Sequence, residues 1–450
     1  MDNMKTDLTE GSIPQLVKTM AIPVSIGFFF QAMYNITDTY YVGQLSTTAL
    51  AALALTFPLF FLILSLGGGI NISTNALVAK KLGEKKHDEA IEIAAQGISY
   101  AFIAGIILGL VGIGIADPVF SLIGGKGELH SLAIEYMNII FLGSSLFLMF
   151  FTLNGILGSI GDTKTGGILM VIGFVLNVFL DPILMYGWFG LPRLEIAGVA
   201  IATLIIMLIQ VVAMLFIVNK RGMLSKELHH YIPKTNIAKE IISQAIPASL
   251  NQASTALGFL IVTRFVSDFG EMAIATFGVG VRIDQLLVLP AIGIAIASIS
   301  LTGQNYGAKR FDRILETYKV ATKYNAIALL IGLVLVIIFS KSLAEAFTPD
   351  QQLQHMIVTY LWIVTFSYVP VGIIIISGSV LQGLGKAEHG LALTLMRVFV
   401  VLVPLFWIFA YTLDYKEIGI WIALTLSSII VALISYWYVL RTIKKLAVEG

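Results

Sequence analysis

Apolar residues along this chain come in long runs of about twenty, rarely interrupted by charge, each closed by a short polar stretch. A run of that length, at about 1.5 Å rise per residue, crosses the hydrocarbon of a bilayer as a helix. Twelve such runs are centred near residues 28, 64, 102, 145, 177, 207, 254, 288, 327, 367, 401 and 430. Stretches such as Ile205 to Val218 and Ile327 to Ser340 lack the polar–apolar alternation of a membrane β-strand. Helices also satisfy the backbone amides that lipid leaves without water. The opening residues, MDNMKTDLTEGS, are polar and mixed in charge, without a basic segment, a short apolar core and a small-residue cleavage site. No cleaved signal peptide is expected, and the first run should act as its own insertion signal.

The polar breaks carry basic residues unevenly. With the amino terminus inside, 21 of the 28 Lys and Arg fall in inner connections and four, Lys126, Arg193, Lys341 and Lys416, in outer ones. Arg264, Arg282 and Arg397 fall within runs. This bias follows the positive-inside rule and predicts a multi-pass protein of the plasma (inner) membrane with both termini cytoplasmic. The longest break, about Lys220 to Lys239, divides six runs from six. It predicts an N-lobe over 1–219, a cytoplasmic connecting loop over 220–239 and a C-lobe over 240–450.

The halves also match at a fixed offset of 224 residues. Ala21-Ile22-Pro23 meets Ala245-Ile246-Pro247, Ser25 meets Ser249, and Gly69-Ile70 meets Gly293-Ile294. Gly83, Lys85 and Asp88 meet Gly307, Lys309 and Asp312, and Leu157 and Gly161 meet Leu381 and Gly385. Prolines, glycines and loop charges in register indicate duplication. Six being even, both repeats enter the membrane from one side. The expected fold is an all-α polytopic membrane protein: twelve transmembrane helices as two six-helix bundles, related by a pseudo-two-fold axis along the membrane normal. That is a transporter architecture suited to alternating access.

Composition narrows the class. Of 450 residues, 57% are hydrophobic and 12% charged, with mean hydropathy +0.90. Soluble and disordered chains are excluded. The net charge of +1 gives no reason to expect nucleic acid, and zero Cys removes thiolate chemistry. No phosphate-binding G-x-x-x-x-G-K-[ST] run occurs; Gly383-Leu384-Gly385-Lys386-Ala387 has neither its spacing nor its hydroxyl. No cofactor is expected. An ion gradient is then the simplest energy source, with H+ or Na+ as coupling ion.

Buried carboxyls become the residues to examine, because ionised groups in hydrocarbon are costly. Asp38 and Asp181 each lie about six residues before the outer end of an odd-numbered run, hence at one depth in one lobe. Asn177 and Asp181 share a helix face, Thr203 can add a hydroxyl, and Pro182 should free carbonyls near Asn177 and Val178. These oxygens make Asp38, Asn177, Asp181 and Thr203 a candidate Na+ site, and the same carboxyl pair can hold a proton. Phe28 and Gln31, on the run that carries Asp38, are candidate lining residues of a cavity for bulky cations. Arg264, Arg282 and Asp284 are read as a structural polar network, with Arg264 able to pair with Asp268. Arg397, read as two turns into its run, should snorkel to the inner face. The six His residues show no metal-ligand spacing, and His229 and His230 read as solvated loop positions. Prolines inside runs, Pro23 among them, suit bending helices.

These features together resemble the multidrug and toxic compound extrusion (MATE) family, and within it the DinF-like branch. The resemblance spans nearly the whole chain. It rests on the twelve runs, the repeat, the entry segment Gly11-Ser12-Ile13-Pro14…Ala21-Ile22-Pro23, and the stretch from Tyr34 to Gly43. The runs 158–163, 177–182, 281–285 and 303–308 complete it. It implies secondary active export of cationic and amphipathic compounds by antiport with H+ or Na+, with small molecules and lipid as partners, a monomeric chain and no enzyme activity. It also implies that Asp38 and Asp181 are the N-lobe acids, Asn177 and Thr203 their companions, and Tyr34 and Asn154 polar neighbours lining the cavity. The run between Gln354 and Gln382 holds no acid, so a C-lobe carboxylate site of the NorM-like kind is not expected. An alternative within the superfamily is a lipid or lipid-linked saccharide flippase, which would need a strongly basic cavity. A membrane enzyme or receptor would need a catalytic cluster that the chain lacks.

Overall fold

The computed structural model describes residues 7–449, which are predominantly helical with no strand among them. In order come α1 (Ile13–Leu45), α2 (Thr47–Gly83), α3 (His87–Leu122), α4 (Gly127–Leu142), α5 (Ser144–Ser159), α6 (Thr163–Tyr186) and α7 (Glu195–Lys220). Then follow α8 (Thr235–Val266), α9 (Glu271–Gly307), α10 (Phe311–Phe347), α11 (Gln351–Val364), α12 (Tyr368–Gly383), α13 (Ala387–Leu395), α14 (Val403–Phe406) and α15 (Lys416–Glu449). Short 3-10 and π turns join α11 to α12 and α13 to α14, so each pair is one span. Eleven spans result, and α4 with α5, bent by 49° at Gly143, makes a twelfth. Every centre expected from the sequence lies inside one of them. Large apolar side chains such as Leu110, Phe216 and Leu433 are about two-thirds exposed, as lipid-facing positions are.

Duplication is written in the backbone. Lys85 and Lys309, 224 residues apart, both sit in the left-handed region, at φ 61° and 57°. Gly161 and Gly385 likewise turn at φ 81° and 73° after α5 and α12. Asp88 and Asp312 each place a carboxylate in the first turn of the next helix, against its positive end.

The chain forms two compact units, and their boundaries differ from those expected. The connection is shorter than 220–239, since α7 runs to Lys220 and α8 begins at Thr235. One unit takes residues 26–249, and the other takes 8–25 with 250–450. The division therefore falls inside α1 and α8 rather than at 219 and 240. Close packing at equivalent glycines explains it. A Cβ on Gly69 of α2 would come 2.5 Å from the Ala245 carbonyl, so α8 lies directly on α2 there. A Cβ on Gly293 of α9 would come 2.5 Å from the Ala21 carbonyl, so the start of α1 lies directly on α9. Only glycine allows backbones that near. The entry half of each repeat's first helix thus packs on the second helix of the other repeat.

Both entry segments are also fastened. Gln96 donates to the His230 and Ile232 carbonyls at 2.6 and 2.7 Å and accepts from the Lys234 amide at 2.9 Å. In the second unit Asn305 donates to the Leu8 carbonyl at 3.1 Å, and Arg313 reaches the Glu10 and Gly11 carbonyls at 3.1 and 2.9 Å. Within the first unit the apolar core runs through Ile63, Phe141, Phe147 and Leu153. In the second, Tyr318 and Leu381 centre one cluster, and Phe277, Tyr360, Phe406 and Trp421 another.

Candidate functional site

Asp38 and Asp181 come together. Tyr34 and Asp38 share a face of α1, one turn apart, and Asn177 and Asp181 share a face of α6. Asn177 Nδ2 donates to Asp38 Oδ1 at 2.7 Å. The Tyr34 hydroxyl donates to Thr203 Oγ1 on α7 at 3.1 Å. The Asp38 and Asp181 carboxyls lie close enough to act on each other electrostatically. All five side chains are buried, Asp181 and Asn177 completely.

The donors do not balance the acceptors. Both Asp181 oxygens and Asn177 Oδ1 are buried with no hydrogen-bond donor among the described residues. Two ionised carboxylates offer each other nothing but repulsion, and unpaired buried acceptors are expensive. A proton shared between the carboxyls relieves both problems. So does a monovalent cation, a hard ion that prefers oxygen ligands.

Two tyrosines absent from the sequence reading belong here. The charges of both carboxyls reach buried Tyr136 on α4. Tyr41 donates to the Val178 carbonyl at 3.0 Å. That carbonyl lies four residues before Pro182 and is one the missing amide was expected to leave for a cation. Tyr41 takes it instead. Its place one turn beyond Asp38 in Tyr34–Thr37–Asp38–Tyr41 was the available signal.

Other expected residues stand apart. Gln31 and Phe28 precede Asp38 on α1 by seven and ten residues, about 10 and 15 Å along the axis. Asn154 packs against Gly166, eleven residues and about 16 Å along α6 from Asn177. Neither Gln31, Phe28 nor Asn154 touches the carboxyl pair.

The C-terminal polar residues do not form one network. Arg264 pairs with Asp268 at 2.5 Å, where the Tyr411 hydroxyl also donates to Asp268 at 2.7 Å. Asp284 is held separately, by the hydroxyls of Tyr360 at 2.7 Å and Tyr368 at 2.6 Å. Arg282 is exposed and shares no partner with Asp284, because residues two apart on a helix point to different sides. Arg397 lies ten residues into its span, one turn deeper than expected, with Nε buried and the side chain as a whole only partly buried. In the connection, Glu227, His229 and His230 bring their ligand atoms within 4.8 Å of one another, so these histidines are less independent than their spacing suggested.

Comparison with known proteins agrees with this architecture. The family model described as MatE matches residues 23–183 and again 247–408, once in each half, the two matches beginning 224 residues apart. The chain belongs to the MATE family and is a membrane-embedded transporter, not an enzyme. It is similar to the FAD transporter of Shewanella oneidensis, 25% identical over 96% of both chains. It is also similar to the multidrug export protein MepA of Staphylococcus aureus, 25% identical over 86% of this chain and 85% of that one. Among solved structures, an outward-facing multidrug resistance MATE family transporter of the MOP superfamily superposes at TM-score 0.92, with 26% identity over 99% of each chain.

Proposed function

We propose that the protein exports cationic and amphipathic compounds by antiport with H+ or Na+, the ion being taken up by Asp38 and Asp181. The observation that carries this reading is the excess of buried acceptors at the pair, with both Asp181 oxygens and Asn177 Oδ1 lacking donors. An ion entering from outside halves the charge of the pair and changes what Asp38 asks of α1. That helix belongs to one compact unit up to residue 25 and to the other from residue 26, so it is placed to pass the change between them. The ion leaves on the cytoplasmic side, where both termini lie in this reading. Different affinities of the two states for ion and solute drive the cycle. The multidrug name of the MepA relative supports the solute class, and the Shewanella relative's FAD extends it toward amphiphiles that carry negative charge.

The test is efflux of a cationic dye from loaded proteoliposomes, with Na+ and pH gradients imposed separately. Asp38→Asn should abolish efflux under whichever gradient drives the wild type, while its thermal midpoint in detergent stays near normal. Undiminished efflux by that variant would overturn the assignment.

A further inference from the structure

We propose that Arg397 is an anion-recognition group of the C-terminal unit, taking the carboxylate or phosphate of an amphiphilic ligand. Its span begins at Ala387 and ends at Thr412, so Arg397 lies about 15 Å along it, near its midpoint, with the side chain partly buried. Its Nε is buried without an acceptor, and no charged group of the described residues lies near enough to act on it. The adjoining Met396 and Val401 pack on Ile374, Val431 and Ala432, an apolar setting that offers nothing in compensation. A guanidinium kept there for packing would be tied to carbonyls or a carboxylate, as Arg313 is tied to Glu10, Gly11 and Asn305. Arg397 is tied to nothing.

A second observation falls on the same residue. Met396–Leu402 is a π-turn, followed by Pro404 and by another π-turn at Trp407–Thr412. Proline removes an amide and presses on the carbonyl four residues back, and the wider turn absorbs both effects. Such turns inside α-helices recur at functional sites, where they re-aim side chains. The group aimed here is planar, carries five donors in a fork, and matches a carboxylate or phosphate in two parallel hydrogen bonds. Two sources offer that chemistry: a solute with an acidic group, or the phosphate of a lipid headgroup.

The inference deepens the export reading by adding an anionic group to the solute, and it is tested by equilibrium binding, which needs no coupling ion. The probes are a rhodamine free acid and its methyl ester, which differ in one carboxylate. Wild-type protein in phosphatidylcholine nanodiscs should bind the acid about tenfold more tightly or better, as a charge-assisted bidentate contact worth ~1.4 kcal/mol or more requires. Arg397→Gln should erase the preference and leave the ester's affinity unchanged. Should that variant not fold, Arg397→Lys still decides, because a point charge without the fork should keep only part of the preference. Repeating the titration with phosphatidylglycerol added separates the sources. A preference that disappears there assigns the site to the phosphate of a net-anionic headgroup, whose charge no choline offsets as it does in phosphatidylcholine, and one that persists assigns it to the solute. Equal affinity of wild type for acid and ester in phosphatidylcholine, or an acid preference that survives Arg397→Gln, overturns the proposal. Asp38→Asn should keep the full preference, so failure of ion coupling and failure of this site give different results.

Discussion

Asp38 and Asp284 are both acidic side chains within membrane-spanning helices, and the two halves of the chain surround them differently. Asp284 has one tyrosine hydroxyl on each oxygen, and Tyr360 is itself fixed against Trp421 with ring centroids 4.8 Å apart. Asp38 has one amide donor from Asn177, and its neighbour Asp181 has none. At the 224-residue offset, the second repeat has Val262, Val401 and Leu405 where the first has Asp38, Asn177 and Asp181. Duplication kept the turns, the glycine crossings and the fastened entry segments in both halves. It did not keep the carboxyl pair. An acid with its acceptors filled is a fixed part of the structure, whereas one with acceptors to spare can change state with its occupant.

The largest expected effect breaks that comparison directly. Asp181→Asn removes one of the two charges the site needs, and ion-driven dye efflux should fall at least about tenfold, a barrier change of ~1.4 kcal/mol or more. Asp284→Asn should leave efflux within about twofold and instead lower stability by about 1–3 kcal/mol, since an amide cannot accept from both tyrosines on equal terms. Efflux and thermal unfolding of the two purified variants, measured side by side, check both statements. A folded Asp284→Asn protein that no longer transports would place the second carboxyl in the coupling machinery.

Next in size are the crossings. Gly69→Ala and Gly293→Ala each set a methyl group against a backbone carbonyl, which cannot move as a side chain tip can. Overpacking of this kind costs about 1–3 kcal/mol. Because the contacts are equivalent, the two thermal midpoints should drop by similar amounts. A loss confined to one variant would mean that the repeats differ in packing as well as in chemistry.

Much of this was legible in the residues. Apolar runs of the right length fix where helices cross, because lipid permits little else, and the offset pairs Lys85 with Lys309 and Gly161 with Gly385 before any coordinates are known. Asp38 and Asp181 stood out because charge is scarce in such a chain. The unit boundaries were not legible. Polarity marks where the chain leaves the membrane, while packing decides which helices move as one body, and the packing of Ala21 on Gly293 is a tertiary contact. Asn154 shows the same limit, since a polar residue on the right helix can face Gly166 rather than the acids. Arg397 was placed one turn of helix too near the inner end, which was enough to read a group near the middle of its span as a snorkelling one. Motif runs also divide by role: Asp162 of the 158–163 run caps α6 through the Thr165 amide at 3.1 Å and pairs with Arg221 at 2.7 Å, which is turn chemistry.

The smallest expected effect sharpens the boundary of the site. Tyr41→Phe removes only the hydroxyl that satisfies the Val178 carbonyl ahead of Pro182. An acceptor left unsatisfied in a buried helix costs about 1 kcal/mol or somewhat more, so the thermal midpoint should fall modestly. Efflux should persist, because the carboxyls, Asn177 and Thr203 keep their arrangement. If the released carbonyl then joins the oxygens around Asp181, Na+ should protect the variant against unfolding at least as well as it protects the wild type. Loss of efflux comparable to that of Asp38→Asn, in a protein that still unfolds cooperatively, would show instead that Tyr41 is part of the coupling site and that the α6 proline serves the ion rather than the helix.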